Sequence, residues 1–126
     1  MKINVNFKTN PEFDNQLQIA NNKALERTAQ AILDDIKARG VVPKDTGELE
    51  RSGFIQTITE MTYTIMFDTP YARRWYFNVE DVTFQKTKNP NAQDHWMDYY
   101  LDGEGMRWVI ETYSKFLKEE SGGLIQ

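Results

Sequence analysis

The residues able to do chemistry in this 126-residue chain are few and poorly grouped. Asp34 with Asp35, Glu48 with Glu50, and Glu119 with Glu120 are the acidic clusters, and carboxylate oxygens can hold a hard cation or move a proton. None of the three has the spacing of a metal loop, and the chain has no phosphate-cradling glycine loop and no pair of histidines one helical turn apart. Asp34 and Asp35 are consecutive, so on a helix they diverge by about 100° and cannot converge on one point. They read as solvated faces. The single histidine, His95, stands between Asp94 and Trp96 with Asp98 one turn away, a setting that could tune an imidazole as acid or base. It has no nucleophile motif beside it and reads as a packed or interface histidine. With no cysteine, disulfides, a thiol nucleophile and thiolate metal sites are all excluded. A catalytic triad would have to use His95, and a zinc site would need that one imidazole plus carboxylates. No catalytic, cofactor-binding or metal-binding residue is expected, and no cofactor.

The aromatic clusters exceed what composition alone requires. Trp75, Tyr76 and Phe77 are consecutive, so on a helix they point in about three directions and cannot all enter one small core. Arg73 and Arg74 stand beside them, and His95, Trp96, Tyr99, Tyr100 and Trp108 add more rings further on. Aromatic and arginine side chains are enriched at protein interfaces because they bury much area at low entropic cost. Core packing is the competing reading. Base stacking on single strands would use the same residue types, but it needs a basic groove.

Charge argues against such a groove. The chain carries 19 acidic and 15 basic residues, a formal net charge of -4, with both signs interspersed. A protein that grips phosphates needs a basic face and usually a basic total. Hydrophobic residues make up 40% and charged residues 27%, the profile of one soluble domain. A chain of this length buries roughly two thirds of the surface its unfolded form exposes, enough for a small core without staples. The start of the chain alternates rather than running apolar, so neither a signal peptide nor a membrane span is expected.

The elements that must position these residues follow from periodicity. Residues 2–8 alternate, with Ile3, Val5 and Phe7 on one side, which predicts a half-buried strand at a sheet edge. From Phe13 to Arg39 the chain is rich in Ala, Leu, Gln, Glu and Lys without Gly or Pro, which predicts one long helix. Its stripe of Leu17, Ala24, Leu25, Thr28, Ala29, Ile32 and Ile36 is rich in small residues, so a sheet of the same domain or another subunit can approach closely. Gly40 ends the helix and Pro43 forbids its continuation. In the connector that follows, Asp45 or Thr46 can cap a short helical turn, and Gly47 leaves the backbone free to bend.

Residues 54–59 and 62–67 form an expected hairpin from their β-branched and aromatic content. Tyr71 to Phe77 is an expected short helix with Thr69 as its cap and Pro70 at its first position. Residues 78–94 are polar and aperiodic, and a loop that long in a compact domain usually binds something. Asp94 is placed as the cap of a helical stretch carrying His95, Trp96, Tyr99 and Tyr100. After a weak point at residues 102–105, a helix from Met106 to Lys118 shows Met106, Val109, Ile110, Tyr113, Phe116 and Leu117 on one face. The fold class expected is α+β: a long N-terminal helix packed on a small antiparallel sheet, with a C-terminal helix. Residues 1–118 make the single domain and 119–126 a flexible tail.

The order of these segments resembles the minor capsid and tail-completion proteins of tailed bacteriophages and of prophages in Gram-positive bacteria. In that broad family a Pro-x-Asp-Thr-Gly-x-Leu-x-x-Ser stretch follows the long helix, here Pro43, Asp45, Thr46, Gly47, Leu49 and Ser52. A Tyr-Ala pair follows the hairpin, here Tyr71 and Ala72. Asn89-Pro90-Asn91-Ala92 and His95-Trp96 also look like the minor capsid branch. Many relatives place a Glu-x-Gly-Thr-like segment shortly after the Tyr-Ala pair, where this chain has Trp75, Tyr76, Phe77 and Asn78.

The resemblance implies a non-enzymatic virion protein of the head-to-tail connection, assembled in the host cytoplasm. Six or twelve copies would form a ring around the channel through which DNA leaves the capsid, touching adjoining neck, portal-side or tail proteins. Duplex DNA would pass the mildly acidic lumen without specific binding, and no membrane is involved. Arg73, Arg74, Trp75, Tyr76, Phe77, Asn89, Pro90, His95, Trp96 and Tyr99 are the interface candidates. The 78–94 loop is expected to be an assembly element that orders against the neighbouring ring. Two competing readings are a small phage or prophage module that binds a host protein and a metal-dependent hydrolase using scattered carboxylates and His95.

Overall fold

The computed structural model describes residues 2–6, 15–59 and 61–122, the first five as backbone only. The expected strand residues 7–8, Phe13 at the expected helix start, Glu60 in the hairpin turn and residues 123–126 lie outside the described residues. The architecture is the expected α+β arrangement. Strand β1 (Lys2–Asn6) precedes helix α1 (Asn15–Arg39), a one-turn helix α2 (Glu48–Arg51), strands β2 (Gly53–Thr59) and β3 (Thr62–Phe67), helix α3 (Ala72–Phe77) and helix α4 (Gly103–Glu120). A 3-10 turn, Asp98–Leu101, leads into α4.

The sheet order is β1-β3-β2, antiparallel throughout, with Ile3 opposite Ile65 and Ile55 opposite Ile65 on the other side. β1 is therefore an edge strand, as expected. The central strand β3 buries Tyr63, Ile65 and Phe67, and its Thr64 is buried as well. β2 leaves Phe54 and Ile58 exposed, and its register shifts between Thr57 and Thr59. Met61 adopts a left-handed φ of 67° in the hairpin turn. A side chain from α1 stabilises that unusual backbone: Asn22 Oδ1 accepts the Met61 N–H at 3.0 Å and the Tyr63 hydroxyl at 2.8 Å.

α1 is helical because 25 residues run without a breaker, each with moderate or good propensity. Ala24, Leu25, Thr28, Ala29, Ile32 and Ile36 are buried as expected, joined by Ala20, Asn21 and Leu33. Leu17 is only half-buried. The small side chains let two elements approach, since α1 packs against the sheet and against α4. Gly40, at φ 63°, ends the helix in the left-handed conformation that lacks a steric penalty only for glycine.

Three local expectations are corrected. Thr69 is not the cap of α3: that position belongs to Tyr71, and Thr69 contributes only its carbonyl, 3.2 Å from the Ala72 N–H. Asp94 caps no helix, because His95 takes a left-handed φ of 47° and the helical turn starts at Asp98. The expected weak point at 102–105 is the first turn of α4, entered from an extended Asp102. Gly105 makes that entry fit, since a Cβ there would overlap the Tyr99 carbonyl oxygen.

The inward face of α4 is also rotated from the expected one. Gly105 and Val109 are buried, whereas Met106 and Ile110 are exposed and Tyr113, Phe116 and Leu117 are half-buried. The helix continues two residues past Lys118, and Arg27 of α1 meets Glu119 at 2.9 Å and Glu120 at 3.1 Å. The main core gathers Ile32, Leu33 and Ile36 of α1, Ile65 and Phe67 of β3, and Tyr76, Trp96, Met97, Tyr100 and Val109 from the later chain.

Candidate interaction surface

The two short motifs meet in space and form one joint. Thr46 Oγ1 accepts the Glu48 N–H at 3.3 Å, just ahead of α2, while Gly47 rather than Asp45 or Thr46 occupies the cap position at φ 85°. A Cβ on Gly47 would press on the Arg51 guanidinium, which donates to the Thr46 carbonyl at 3.1 Å. Leu49 is buried in the core, and Ser52 Oγ donates to the Leu49 carbonyl at 2.6 Å while accepting the Asp68 N–H at 3.1 Å. Across the joint the Tyr71 hydroxyl donates to Glu48 Oε2 at 3.1 Å, and Ala72 is buried against the core. Burial and the Glu48 carboxylate both raise the Tyr71 pKa above its ordinary value.

An open groove of about 550 Å³ lies over this joint, lined by Pro43, Asp45, Thr46, Gly47, Leu49 and Tyr71 together with Lys44, Glu48, Arg74, Trp75, Phe84 and Gln85. Its two cations are already matched. Lys44 meets Glu50 at 3.1 Å, and Arg74 grips Glu80 at 2.7 and 3.1 Å. Such a groove offers shape and aromatic area, with Trp75 edge-on to Phe84 at 5.9 Å, and no activated nucleophile.

The aromatic candidates divide by burial. Tyr76 and Trp96 are core residues, 3% and 1% exposed, stacked edge-to-face at 4.8 Å. Asn89 is buried too, donating to the Val42 carbonyl at 2.7 Å and to Glu50 Oε1 at 3.3 Å. These three serve the inside of the subunit, which corrects their expected place on its surface. Arg73, Arg74, Phe77, Pro90 and Tyr99 are exposed, and Trp75 and His95 half-buried. Arg73 lies over the Phe77 ring and Arg39 over the Tyr99 ring. Cation–π contacts of this kind hold both partners in place on the surface.

His95 faces no nucleophile among the described hydrogen bonds. Its Nδ1 is 3.1 Å from Asp94 Oδ1, and its ring packs on Tyr76 at 5.1 Å and Phe77 at 5.7 Å. The phenol pKa values of Tyr76 and Tyr100 are both pushed well above normal by burial, reinforced by hydrogen bonds to Asp98 at 2.7 Å and to Asp35 at 2.6 Å. Asp34 instead accepts from Gln30, so the adjacent carboxylates of α1 do point apart. Among the described residues no group of three or more His, Asp or Glu is arranged to hold a metal, and no helix is long and apolar enough to cross a membrane.

The 78–94 loop is stitched to the body rather than free. Gln85 donates to the Lys44 carbonyl at 2.7 Å, Lys88 to the Asp45 carbonyl, Asn91 to the Arg39 carbonyl at 2.9 Å, and the Gln93 N–H to the Val41 carbonyl at 2.9 Å. It is thus ordered within a single subunit, contrary to the expected ordering by a neighbour. Sequence reading missed Glu48, Phe84 and the exposed side of α4. Glu48 lies within the motif at one of its variable positions, so only its spatial partner Tyr71 marks it out.

Comparison with known proteins gives one match. A family model described as "Minor capsid protein" matches residues 2–116. No curated protein and no solved structure matches the chain.

Proposed function

The chain belongs to the minor capsid protein family, and from that premise we propose that it is a subunit of the phage neck, a head-tail connector or tail-completion protein. The family is a structural one of the phage virion. In the proposed role a single connector-type domain assembles as a ring of six or twelve around the DNA exit channel, between portal-side and tail proteins. The protein works by shape and adhesion, without a catalytic step or a cofactor.

The observation that carries this reading is the extent of the match. It covers residues 2–116, so it includes the joint where Tyr71 meets Glu48 and the groove above it. The chemistry of the groove supports the reading, because its cations Lys44 and Arg74 are paired internally, Asp45 and Glu48 leave it acidic, and its open area is aromatic. A net charge of -4 suits a ring that DNA slides through, since an acidic or neutral wall gives phosphates nothing to hold.

Electron microscopy of particles carrying a tagged copy of the chain tests the proposal. Label confined to the head-tail junction is the expected result. Label spread over the capsid shell, or particles that contain none of the chain, would overturn it.

A further inference from the structure

Two surfaces of this subunit, lying on different elements, match each other in chemistry. The first is a cleft of about 550 Å³ between the outer side of α3 and the turn after it, lined by Pro70, Arg73, Arg74, Phe77, Val79 and Glu80. Arg74 is occupied by Glu80, whereas Arg73 makes no ion pair among the described residues, so the cleft carries a net positive charge. Val79 at its rim is 91% exposed, the most exposed large apolar residue described.

The turn that presents Val79 is already fixed. The Asn78 side chain donates to the Val82 carbonyl at 2.8 Å and accepts the Val82 N–H at 2.9 Å, and the Asp81 N–H reaches the Asn78 carbonyl at 3.0 Å. Asn78 and Asp81 both take left-handed φ, 44° and 53°. An apolar tip held this way loses little conformational entropy when it is covered.

The second surface is the ridge where the 3-10 turn meets α4. Leu101, 58% exposed, stands there with Met106 and Ile110, which share one side of the helix. Exposed Asp102, Glu104 and Glu111 flank them without an ion pair among the described residues, and the exposed Arg107 is the one Lys or Arg in positions 89–114, so acidic groups outnumber it. The ridge is therefore apolar and acidic, while the cleft is apolar and basic.

We infer that the ridge of one copy seats in the cleft of the next, so that this chain joins itself head to tail. A second copy is the occupant because both halves of the complementary pair lie on this one chain. Contact between two different patches leaves a free ridge and a free cleft at the ends, and such an arrangement closes into a ring when its rotation allows. The inference deepens the proposed ring reading and rests on it. Opposite charges at the rim set the register and disfavour ridge-on-ridge or cleft-on-cleft pairing.

Sedimentation velocity on the whole chain and two variants tests it. The cleft variant carries Arg73→Ser with Val79→Ser, and the ridge variant Leu101→Lys with Glu104→Lys, each checked for a native circular dichroism spectrum. Wild type is expected to self-associate, and each variant alone to lose at least tenfold in association. An equimolar mixture of the two is expected to give a one-to-one complex and nothing larger, because it retains a single intact ridge-cleft pair. Should a double variant misfold, Val79→Ser and Leu101→Lys as single changes at exposed positions repeat the experiment. A variant that associates like wild type, a mixture that forms no pair, or a wild type that stays monomeric overturns the inference. If a monomeric wild type is still found at the head-tail junction of particles, the neck reading stands and only this contact fails.

Discussion

The side-chain amide of Asn89 reaches across 47 residues to donate to the Val42 carbonyl at 2.7 Å, in a region where both residues are buried. This bond fixes the end of the long loop to the segment that leaves α1. Without it a backbone acceptor is left buried and unmatched, which costs more than the bond itself contributes.

Asn89→Ala is therefore expected to cost roughly 1–3 kcal/mol, read as a lower midpoint in urea denaturation. Asn89→Asp should be at least as harmful at neutral pH. It keeps the size but turns an acceptor toward the Val42 carbonyl and the Glu50 carboxylate, the two present partners of the amide.

Deleting residues 80–92 is expected to abolish cooperative unfolding of the monomer. The deletion removes Asn89, buried Ala92 and the anchors of Gln85 and Lys88. A deleted chain with a sharp thermal transition and a native spectrum would contradict this.

Alkaline pH should unfold the protein in a characteristic way. Burial raises the phenol pKa values of Tyr76, Tyr100 and Tyr113 above 10.0 in the folded chain. Each therefore keeps its proton longer folded than unfolded, so its contribution is complete below about pH 10 and declines as pH rises beyond it. Stability measured by denaturant should fall steeply above pH 10, and tyrosinate absorbance should rise together with loss of helix. Tyr76→Phe with Tyr100→Phe should flatten that fall.

Gly105→Ala is expected to destabilise by about 1–3 kcal/mol, the range for overpacking in a tight core. The added methyl meets backbone, the Tyr99 carbonyl, which no side-chain rotation can relieve. Gly103→Ala has open space around its Cβ and strain only from its φ of 57°. In thermal melts it should therefore be the milder of the two.

Where the sequence was legible, the signal was local. An uninterrupted run without Gly or Pro made α1 visible, and β-branched alternation made the hairpin visible, because both patterns act within a few residues. The motif from Pro43 to Ser52 was visible as spacing, but its partner Tyr71 is 23 residues from Glu48 and connects only after folding. Trp96 and Phe77 are equally aromatic, yet one is in the core and the other outside. Composition cannot separate them, because the division is made by the six-residue length of α3 and the left-handed backbone at His95. The misjudged face of α4 has the same origin. Met106 and Ile110 continue the apolar stripe, but α1 covers only one side of it.

The order of the sheet also bears on how the subunit is made. β1 is synthesised well before its partner β3, which follows about 60 residues later, since Lys2 pairs with Met66. Until then β1 has no ladder to join, and the loop that secures Val41 and Val42 emerges later still. Contacts this distant along the chain slow folding, because loop closure precedes the bonds that reward it. The Val79 turn and the exposed side of α4 follow the sheet along the chain, and Tyr76, Trp96, Met97, Tyr100 and Val109 come with them, so the core and that outer surface are completed together, after the sheet.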